Sequence, residues 1–233
     1  MRYLHAVAPH ERFVAQGTYR YTGDSGLGGL VEHWTIHELP DGAWFMRVDK
    51  DGRDTNGGSQ LIEAWRNADE VIERFDVVIY GGPGEAVKQA RATYTVEDQQ
   101  LHVGRTLDGE SRTQETLDLP DAYVLQPGGY IFFGMILPQL VLQAPLAMVA
   151  RFSITSPPQD TLRAALTYPP IAHDRDEAEV EVDGKTRMAQ VYMAGERAAD
   201  EADWHRYYVD KHGVLLRHTS ASLQVQLERY AHR

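Results

Sequence analysis

Hydrophobic and polar residues alternate along most of the first two-thirds of the chain, as they do in β-strands that bury one face. In the first such stretch, Phe13, Ala15 and Tyr19 fall on the same side. Asp-Gly pairs and glycine-rich turns separate the stretches and supply the positive φ that tight hairpins require. The pattern predicts an antiparallel meander. Its strands are expected at residues 12–21, 30–37, 43–49, 60–66, 70–80, 87–96, 101–107 and 112–119.

Residues 122–150 have little alternation and few charges. Their prolines predict two short helices, or a helix and a loop, with Pro138 and Pro145 near helix starts. Strands resume in the last quarter, at residues 177–182, 186–192, 204–209, 214–219 and 222–229. A sheet of roughly eleven to thirteen strands has to curl or close, because flat exposed edges invite aggregation. The predicted fold is a mainly β, single domain over residues 1–233, with an unclosed or half barrel and a short helical plug around 122–150.

The composition restricts the classes of partner. The chain has 23 Lys and Arg against 34 Asp and Glu, a net charge of −11, which argues against nucleic acid and anionic membranes. There is no cysteine, which excludes a disulfide scaffold, a thiolate metal site and a cysteine nucleophile. No apolar run near the N-terminus resembles a signal peptide, so we expect a cytoplasmic protein, or a periplasmic one if a signal has been removed. The interrupted apolar segment predicts no transmembrane helix.

No motif assigns a catalytic, metal or cofactor site. His33 and His37 are four residues apart, which on a strand separates them by about 13 Å, too far to share one ion. We expect both to face solvent, and we expect neither a bound metal nor a cofactor. No Gly-x-Ser-x-Gly motif occurs, and 34 carboxylates are too many for spacing to select an acid–base pair. The glycine-rich loops are not followed by the helix that a dinucleotide site requires.

Aromatic and sulfur-containing residues are the best candidates for ligand binding. Several strands place occasional charged residues among apolar ones, which fits either a core with snorkelling side chains or a pocket that orients a ligand. The sequence thus predicts binding of an apolar or amphipathic small molecule or lipid on the concave face. The expected lining is Trp34, Trp44, Met46, Trp65, Tyr130, Phe132, Phe133 and Met135.

Two other functions remain open. The first is a cofactor-independent enzyme of the same shape, and the second is a structural or protein-interaction module without a pocket. A continuous apolar cavity would favour binding, because such cavities suit apolar ligands. Three or more converging ionisable groups would favour an enzyme, and a filled core would favour the structural module.

The C-terminal hairpin at residues 204–217 consists of a strand, the sequence Asp-x-x-Gly at residues 210–213, and an apolar strand ending in Arg217. It resembles the hairpin of bacterial proteins similar to the LolA/LolB lipoprotein carriers. The resemblance implies an unclosed antiparallel barrel with helices plugging its concave side, in which the carriers hold acyl chains. One enzyme also resembles proteins of this fold, so the resemblance also allows catalysis.

Overall fold

Thirteen strands form one antiparallel sheet in the part of the chain that the structure describes. The computed structural model describes residues 1–55, 58–81, 88–110, 113–142, 146–149, 162–167, 171–194 and 204–233. The first strands are β1 (Arg12–Thr22), β2 (Val31–Glu38), β3 (Trp44–Asp51), β4 (Ser59–Arg66), β5 (Ile72–Tyr80), β6 (Gln89–Glu97), β7 (Gln100–Leu107) and β8 (Thr113–Asp118). The later strands of this sheet are β12 (Ile171–Val182), β13 (Lys185–Ala194), β14 (His205–Val209), β15 (Leu215–Thr219) and β16 (Gln224–His232).

The strand order is β12-β13-β14-β15-β16-β1-β2-β3-β4-β5-β6-β7-β8, so the sheet consists of two meanders joined where β1 pairs with β16. The sheet is not closed. At one end the sheet curls back on itself, so that β12 contacts β15 and β16 across the fold. The Gln226 side-chain amide on β16 donates to the Glu181 carbonyl on β12 at 3.2 Å. The predicted mainly β architecture with an unclosed curled sheet is confirmed.

The two faces of the sheet differ in what covers them. On the face that packs against the helix, called the inner face here, Trp34 lies opposite Val48, and Val48 lies opposite Ile62. All three side chains are buried in the main hydrophobic core. The opposite face, called the outer face, carries Thr35 and Arg47, which are also paired across strands. Strand alternation thus separates an apolar inner layer from a polar outer one.

One helix lies on the inner face. Helix α1 runs from Tyr130 to Leu142 with Pro138 inside it, so the expectation that Pro138 begins a helix is wrong. Proline lacks the N–H that would bond four residues back and normally breaks a helix interior. Leu137 (0% exposed) and Leu140 (8%) are buried on either side of Pro138, and their packing stabilises α1 as one continuous helix. Pro145 lies outside the described residues.

The predicted plug also contains strands that the sequence pattern did not indicate. A small second sheet has the order β11-β10-β9, built from β9 (Val124–Gln126), β10 (Leu146–Val149) and β11 (Ala164–Thr167). Strands β9 and β10 flank α1 in the chain and pair in parallel. Parallel pairing requires a crossover connection, and here the helix supplies it. Within the described residues, no helix has the length and apolar character needed to span a membrane.

Two contacts fix α1 against the main sheet. The carboxylate of Glu32 on β2 accepts a hydrogen bond from the Tyr130 backbone N–H at 2.8 Å, where a helix N-terminus favours negative charge. Further along the helix, Gly134 lies against the turn that joins β14 to β15. A Cβ at Gly134 would be 2.4 Å from the Gly213 carbonyl oxygen and 2.5 Å from the Leu215 nitrogen. The Asp-x-x-Gly hairpin is therefore the surface on which the helix rests.

Candidate functional site

A pocket of about 400 Å³ lies over the middle of the main sheet, where β16, β1 and β2 are neighbours. Its floor consists of residues 16–18 of β1, 33–35 of β2 and 229–231 of β16. Met1, Tyr3 and Asp183 complete the lining. We call this site the outer pocket. Its volume falls within the range of small-molecule sites, about 300–1,000 Å³.

The register of the three strands places a polar row on the floor of the outer pocket. Thr18 lies opposite His33 on one side and opposite Arg229 on the other. Gln16 likewise lies opposite Thr35. Residues directly opposite one another share a face of the sheet, so these polar side chains project together from the outer face. Trp34 and Tyr230 also border the pocket, although the strand register places their side chains on the inner face.

Three buried polar atoms among the lining residues have no hydrogen-bond partner within the described part of the chain. They are Trp34 Nε1, Thr35 Oγ1 and the Tyr230 hydroxyl. The residues that carry them are only 1%, 9% and 8% exposed. Most buried polar groups in proteins are hydrogen-bonded, because an unpaired one costs about 1–3 kcal/mol. Thr35 projects from the outer face, so its hydroxyl is the group that a molecule in the outer pocket would satisfy, whereas the Trp34 and Tyr230 side chains belong to the inner-face core.

Hydrogen-bond donors and one acidic side chain line the outer pocket. The His33 ring nitrogen Nδ1 lies 3.1 Å from Thr18 Oγ1. Burial, followed by nearby positive charge, lowers the pKa of His33, so its ring is neutral at pH 7. Arg229 is exposed and forms no ion pair with any residue that the structure describes. Asp183, in the β12–β13 turn, is the acidic group of the lining.

A second group of polar side chains lies on the inner face beside α1. The Tyr130 hydroxyl is 3.1 Å from His218 Nδ1, and His218 Nε2 is 3.0 Å from His205 Nδ1. His218 is 1% exposed, whereas His205 is exposed. Burial, followed by the adjacent His205, lowers the pKa of His218 to about 3. These contacts connect a largely buried phenol with the exposed ring of His205.

A buried carboxylate adjoins that chain. Glu32, 0% exposed, accepts a hydrogen bond of 2.5 Å from the Tyr21 hydroxyl, and Lys50 Nζ lies 3.6 Å from it. Lys50 also donates to the Gly128 carbonyl at 2.7 Å. Burial, then the charge of Glu32, raises the pKa of Tyr21 well above its ordinary value, so the phenol stays protonated and can donate. These bonds tie the start of α1 to strands β1, β2 and β3.

The N-terminal residues cover a layer of buried charges on the outer face. Arg47, 1% exposed, pairs with the Glu11 carboxylate at 2.8 Å and lies 3.5 Å from that of Glu63. The backbone N–H groups of Leu4 and His5 both donate to Glu63, which also contacts the His5 ring. Burial raises the pKa of Glu11, but hydrogen bonds from Arg47, the Ala8 backbone and His37, with the charge of Arg47, together outweigh burial and lower the pKa to about 2.

The expectation that His37 faces solvent is wrong. His37 is 8% exposed, and its Nδ1 lies 2.7 Å from a carboxylate oxygen of Glu11. The strand register does place His37 away from the core, as alternation predicts. The covering segment has no regular pattern of its own, so no pattern in the sequence indicates that this face is buried. Among the described residues, no three His, Asp or Glu side chains form a group that could hold a metal ion.

The predicted ligand-binding residues divide into three groups. Trp34, Met46, Phe132 and Met135 are buried on the inner face or on α1. Tyr130 and Phe133 are half-buried on α1, and Phe133 stacks on Tyr207 with ring centroids 5.7 Å apart. Trp44, at the start of β3, contacts the Arg66 guanidinium at the end of β4, at 5.0 Å from the ring centroid. Trp65 is on the outer face, stacked on Phe45 at 4.5 Å.

The structure therefore does not bring the eight predicted residues together around one concave cavity. The space near α1 that borders Met135 and Ile136 is about 30 Å³, room for a group no larger than water. Trp34 is the member of the set that lines the outer pocket. Sequence reasoning missed the polar floor residues, because only the pairing of the first strand with the last brings Arg229 beside Thr18. A role in binding for the other members stays a prediction.

Comparison with known proteins shows the fold and not the function. No family model matches the chain, and a search of curated proteins found no match. The structure is similar to the crystal structure of a β-barrel-like protein from Brucella abortus that belongs to a domain of unknown function, DUF1849. The TM-score is 0.50 at 13% identity, over 96% of this chain and 99% of that one. This likeness supports the barrel-like fold, while membership of the LolA/LolB superfamily stays a prediction.

Proposed function

We propose that this protein binds a small amphipathic molecule in the outer pocket. The observation that carries the proposal is the coincidence of a 400 Å³ pocket with the cross-strand polar row Arg229, Thr18 and His33. Thr35, beside this row, adds a buried hydroxyl that has no hydrogen-bond partner among the described residues. Polar groups placed in this way orient a ligand, while an aromatic side chain supplies contact area. The pocket provides both, because Tyr3 stands beside the polar floor.

The proposed site differs in position from the one predicted by sequence. The sequence pattern placed the ligand on the concave face, but α1 and the inner strands there form a core of fully buried side chains such as Phe132 and Met46. On the outer face, the adjacent strands β16, β1 and β2 form the floor of the larger space. The proposal therefore keeps the predicted class of ligand and changes its location. The enzyme and the structural module remain alternative predictions.

Native mass spectrometry of the purified protein, followed by a ligand-observed NMR screen of small amphipathic molecules, tests the proposal. Thr35→Val removes the unpaired hydroxyl with little change in shape, and Arg229→Gln removes the exposed cation of the floor. Both substitutions should weaken binding of any molecule found, because they remove a hydrogen bond to it. Arg206→Gln is the matched control, since Arg206 is also exposed but lies on β14 outside the pocket.

Binding that survives both pocket substitutions unchanged would place the ligand elsewhere and overturn the proposal. A screen in which no molecule binds the parent protein would also overturn it and would favour the structural module. Loss of binding in the pocket variants, with binding retained in Arg206→Gln, supports it.

A further inference from the structure

We propose that a second pocket, between the N-terminal segment and strands β5 and β6, binds a small zwitterion with one ammonium group and one carboxylate. The cavity has a volume of about 130 Å³. Arg74, Asp76 and Arg91 supply its charged groups, and the N-terminal segment adds Leu4 and His5 to the lining. We call it the β5–β6 pocket. It is distinct from the outer pocket, so this proposal does not depend on the function proposed above.

The strand register places the charged side chains of the β5–β6 pocket on the outer face. Asp76 lies opposite Glu63, whose carboxylate accepts hydrogen bonds from the N-terminal segment on that face. Arg74 and Val78 are each two residues from Asp76 on β5, so all three share a face. Arg91 on β6 lies opposite Val78 and therefore projects from the same face. A ligand in the pocket can meet all three charges from one side of the sheet.

Asp76 is a buried carboxylate with an incomplete set of partners. Five acidic residues are buried in the part of the chain that the structure describes, and Asp76 is 7% exposed. It is the member of this group with a buried carboxylate oxygen, Oδ1, that has no hydrogen-bond partner among the described residues. Its other oxygen accepts one hydrogen bond from the Arg74 guanidinium at 3.1 Å. Buried charges are normally paired and fully hydrogen-bonded, so Asp76 lacks a donor.

The neighbouring carboxylate increases this need for positive charge. Glu63, directly opposite Asp76, is itself buried, and like charges opposite one another on a sheet destabilise it. The backbone N–H groups of Leu4 and His5 donate to Glu63 at 2.9 and 3.0 Å, and Arg47 lies 3.5 Å away. Glu63 is therefore satisfied from within the chain and Asp76 is not. An ammonium group on a ligand would supply Asp76 with both charge and donors.

Arg91 sets the opposite requirement. It is exposed and forms no ion pair with a residue that the structure describes. A guanidinium binds a carboxylate through two parallel hydrogen bonds. Arg91 is two residues along β6 from Thr93, which lies opposite Asp76, so roughly 7 Å of strand separates the cation from the carboxylate. A molecule with an ammonium group and a carboxylate a few bonds apart fits this separation.

The size of the cavity limits the ligand further. Its volume lies below the range of about 300–1,000 Å³ that is typical of sites for drug-sized molecules, so it accommodates only a few heavy atoms. A small amino acid without a bulky side chain meets the requirements of charge, spacing and size together.

The test is a titration of the full chain followed by two-dimensional NMR of its backbone amides. The probes are 3-aminopropanoate, propanoate, which lacks the ammonium group, and propylammonium, which lacks the carboxylate. We expect 3-aminopropanoate to shift the amide signals of residues 74–78 and 91–93. It should bind at least about tenfold more tightly than either comparison probe, the effect of one charge-assisted contact.

Three substitutions locate the binding. Arg91→Gln should reduce the affinity for 3-aminopropanoate to that of propylammonium, and Asp76→Asn should reduce it to that of propanoate. Arg229→Gln is the matched control, because Arg229 is also exposed but lines the outer pocket, so parental affinity is expected. Since Arg91 is exposed, its replacement should leave the thermal unfolding midpoint unchanged, and it carries the test if Asp76→Asn does not fold.

Several results would overturn the inference. Binding of propanoate or of propylammonium as tight as that of 3-aminopropanoate would remove the requirement for one of the two charges. Parental affinity in Arg91→Gln, or no shifts at residues 74–78 and 91–93, would show that the β5–β6 pocket is not the site. None of these results decides whether the outer pocket binds a ligand, since that proposal depends on Thr35 and Arg229.

Discussion

A Cβ added to Gly17 would lie 2.4 Å from Cζ2 of Trp34, because the indole ring lies directly against this glycine. The two residues are opposite one another on β1 and β2. Gly17→Ala should therefore displace the buried Trp34 ring and destabilise the protein by roughly 1–3 kcal/mol, the usual cost of overpacking. It should also weaken ligand binding in the outer pocket. Chemical denaturation and tryptophan fluorescence measure the two effects.

Gly109→Ala provides the control for this prediction. Gly109 is in the turn after β7, with a φ of +80°, and none of the described residues lies within 4 Å of an added Cβ. An alanine at this position would adopt an unfavourable backbone conformation, but it would not displace a described neighbour. It should lower stability and leave binding intact. Unchanged fluorescence and full binding in Gly17→Ala would show that the position of the Trp34 ring does not require a glycine at position 17, and would contradict the prediction.

Gly134→Ala should destabilise the protein although alanine is the better helix former. Propensity alone would favour alanine by about 1 kcal/mol. The added Cβ would meet backbone atoms of Gly213 and Leu215 at 2.4 and 2.5 Å, and backbone cannot rotate away. We expect a net loss of roughly 1–3 kcal/mol in urea denaturation. Gln139→Ala, on a half-buried position of the same helix, should change stability by about 0.5 kcal/mol or less, and a gain in Gly134→Ala would disprove the close packing.

Removing Arg47 should be among the most destabilising changes on the outer face. The substitution Arg47→Ala leaves the Glu11 and Glu63 side chains, 4% and 1% exposed, without their cation. Breaking a buried pair by deleting one partner costs about 3–5 kcal/mol. Arg12→Ala removes an exposed pair with Glu38 and should cost about 1 kcal/mol or less. Equal effects of the two substitutions in guanidinium denaturation would mean that the N-terminal segment does not bury these charges.

His218 should make stability depend on pH below neutrality. Its pKa is about 3 in the folded protein, below the ordinary 6.5, so the unfolded chain binds the proton more tightly. Stability is full above pH 6.5 and falls as the pH drops toward 3, by at most about 1.4 kcal/mol per pH unit. Urea denaturation between pH 7.5 and 5 should show this slope. That range excludes Glu11, whose lowered pKa acts only between pH 4.5 and about 2.

In His218→Gln the slope should be smaller than in the parent protein. The groups facing this position are Tyr130, Tyr207 and His205, and His205 also has a lowered pKa because of burial. Some pH dependence therefore remains in the variant. His102→Gln is the control, since His102 contacts Thr116 and has no place in this cluster. A parental slope in His218→Gln would contradict a buried neutral imidazole.

The strands and the apolar helix could be predicted because their determinants are local. Alternation placed Trp34 and Met46 on the inner face, and Asp183-Gly184 correctly marked a turn. The prediction that Pro138 lies near a helix start was wrong, because burial of the helix outweighed the local preference of proline for the first turn. What alternation cannot show is which strands from distant parts of the chain become neighbours.

The candidate site depends on such distant neighbours. The outer pocket requires Arg229 beside Thr18, more than 200 residues earlier in the chain. The burial of Arg47 requires an N-terminal segment with no periodic pattern to cross the sheet. Both arrangements are tertiary, so propensity and spacing contain no signal for them.

The pairing of β1 with β16 also has a consequence for biosynthesis. Every other neighbouring pair in the main sheet is consecutive in sequence, so most hairpins can form soon after they leave the ribosome. The β16-facing edge of β1, including Thr22 opposite Gln224, stays unpaired until the last strand is made. During that interval β1 is an open edge on which another nascent chain could pair. Shortening the chain by its final strand would therefore make that exposure permanent and turn a folding intermediate into a starting point for aggregation.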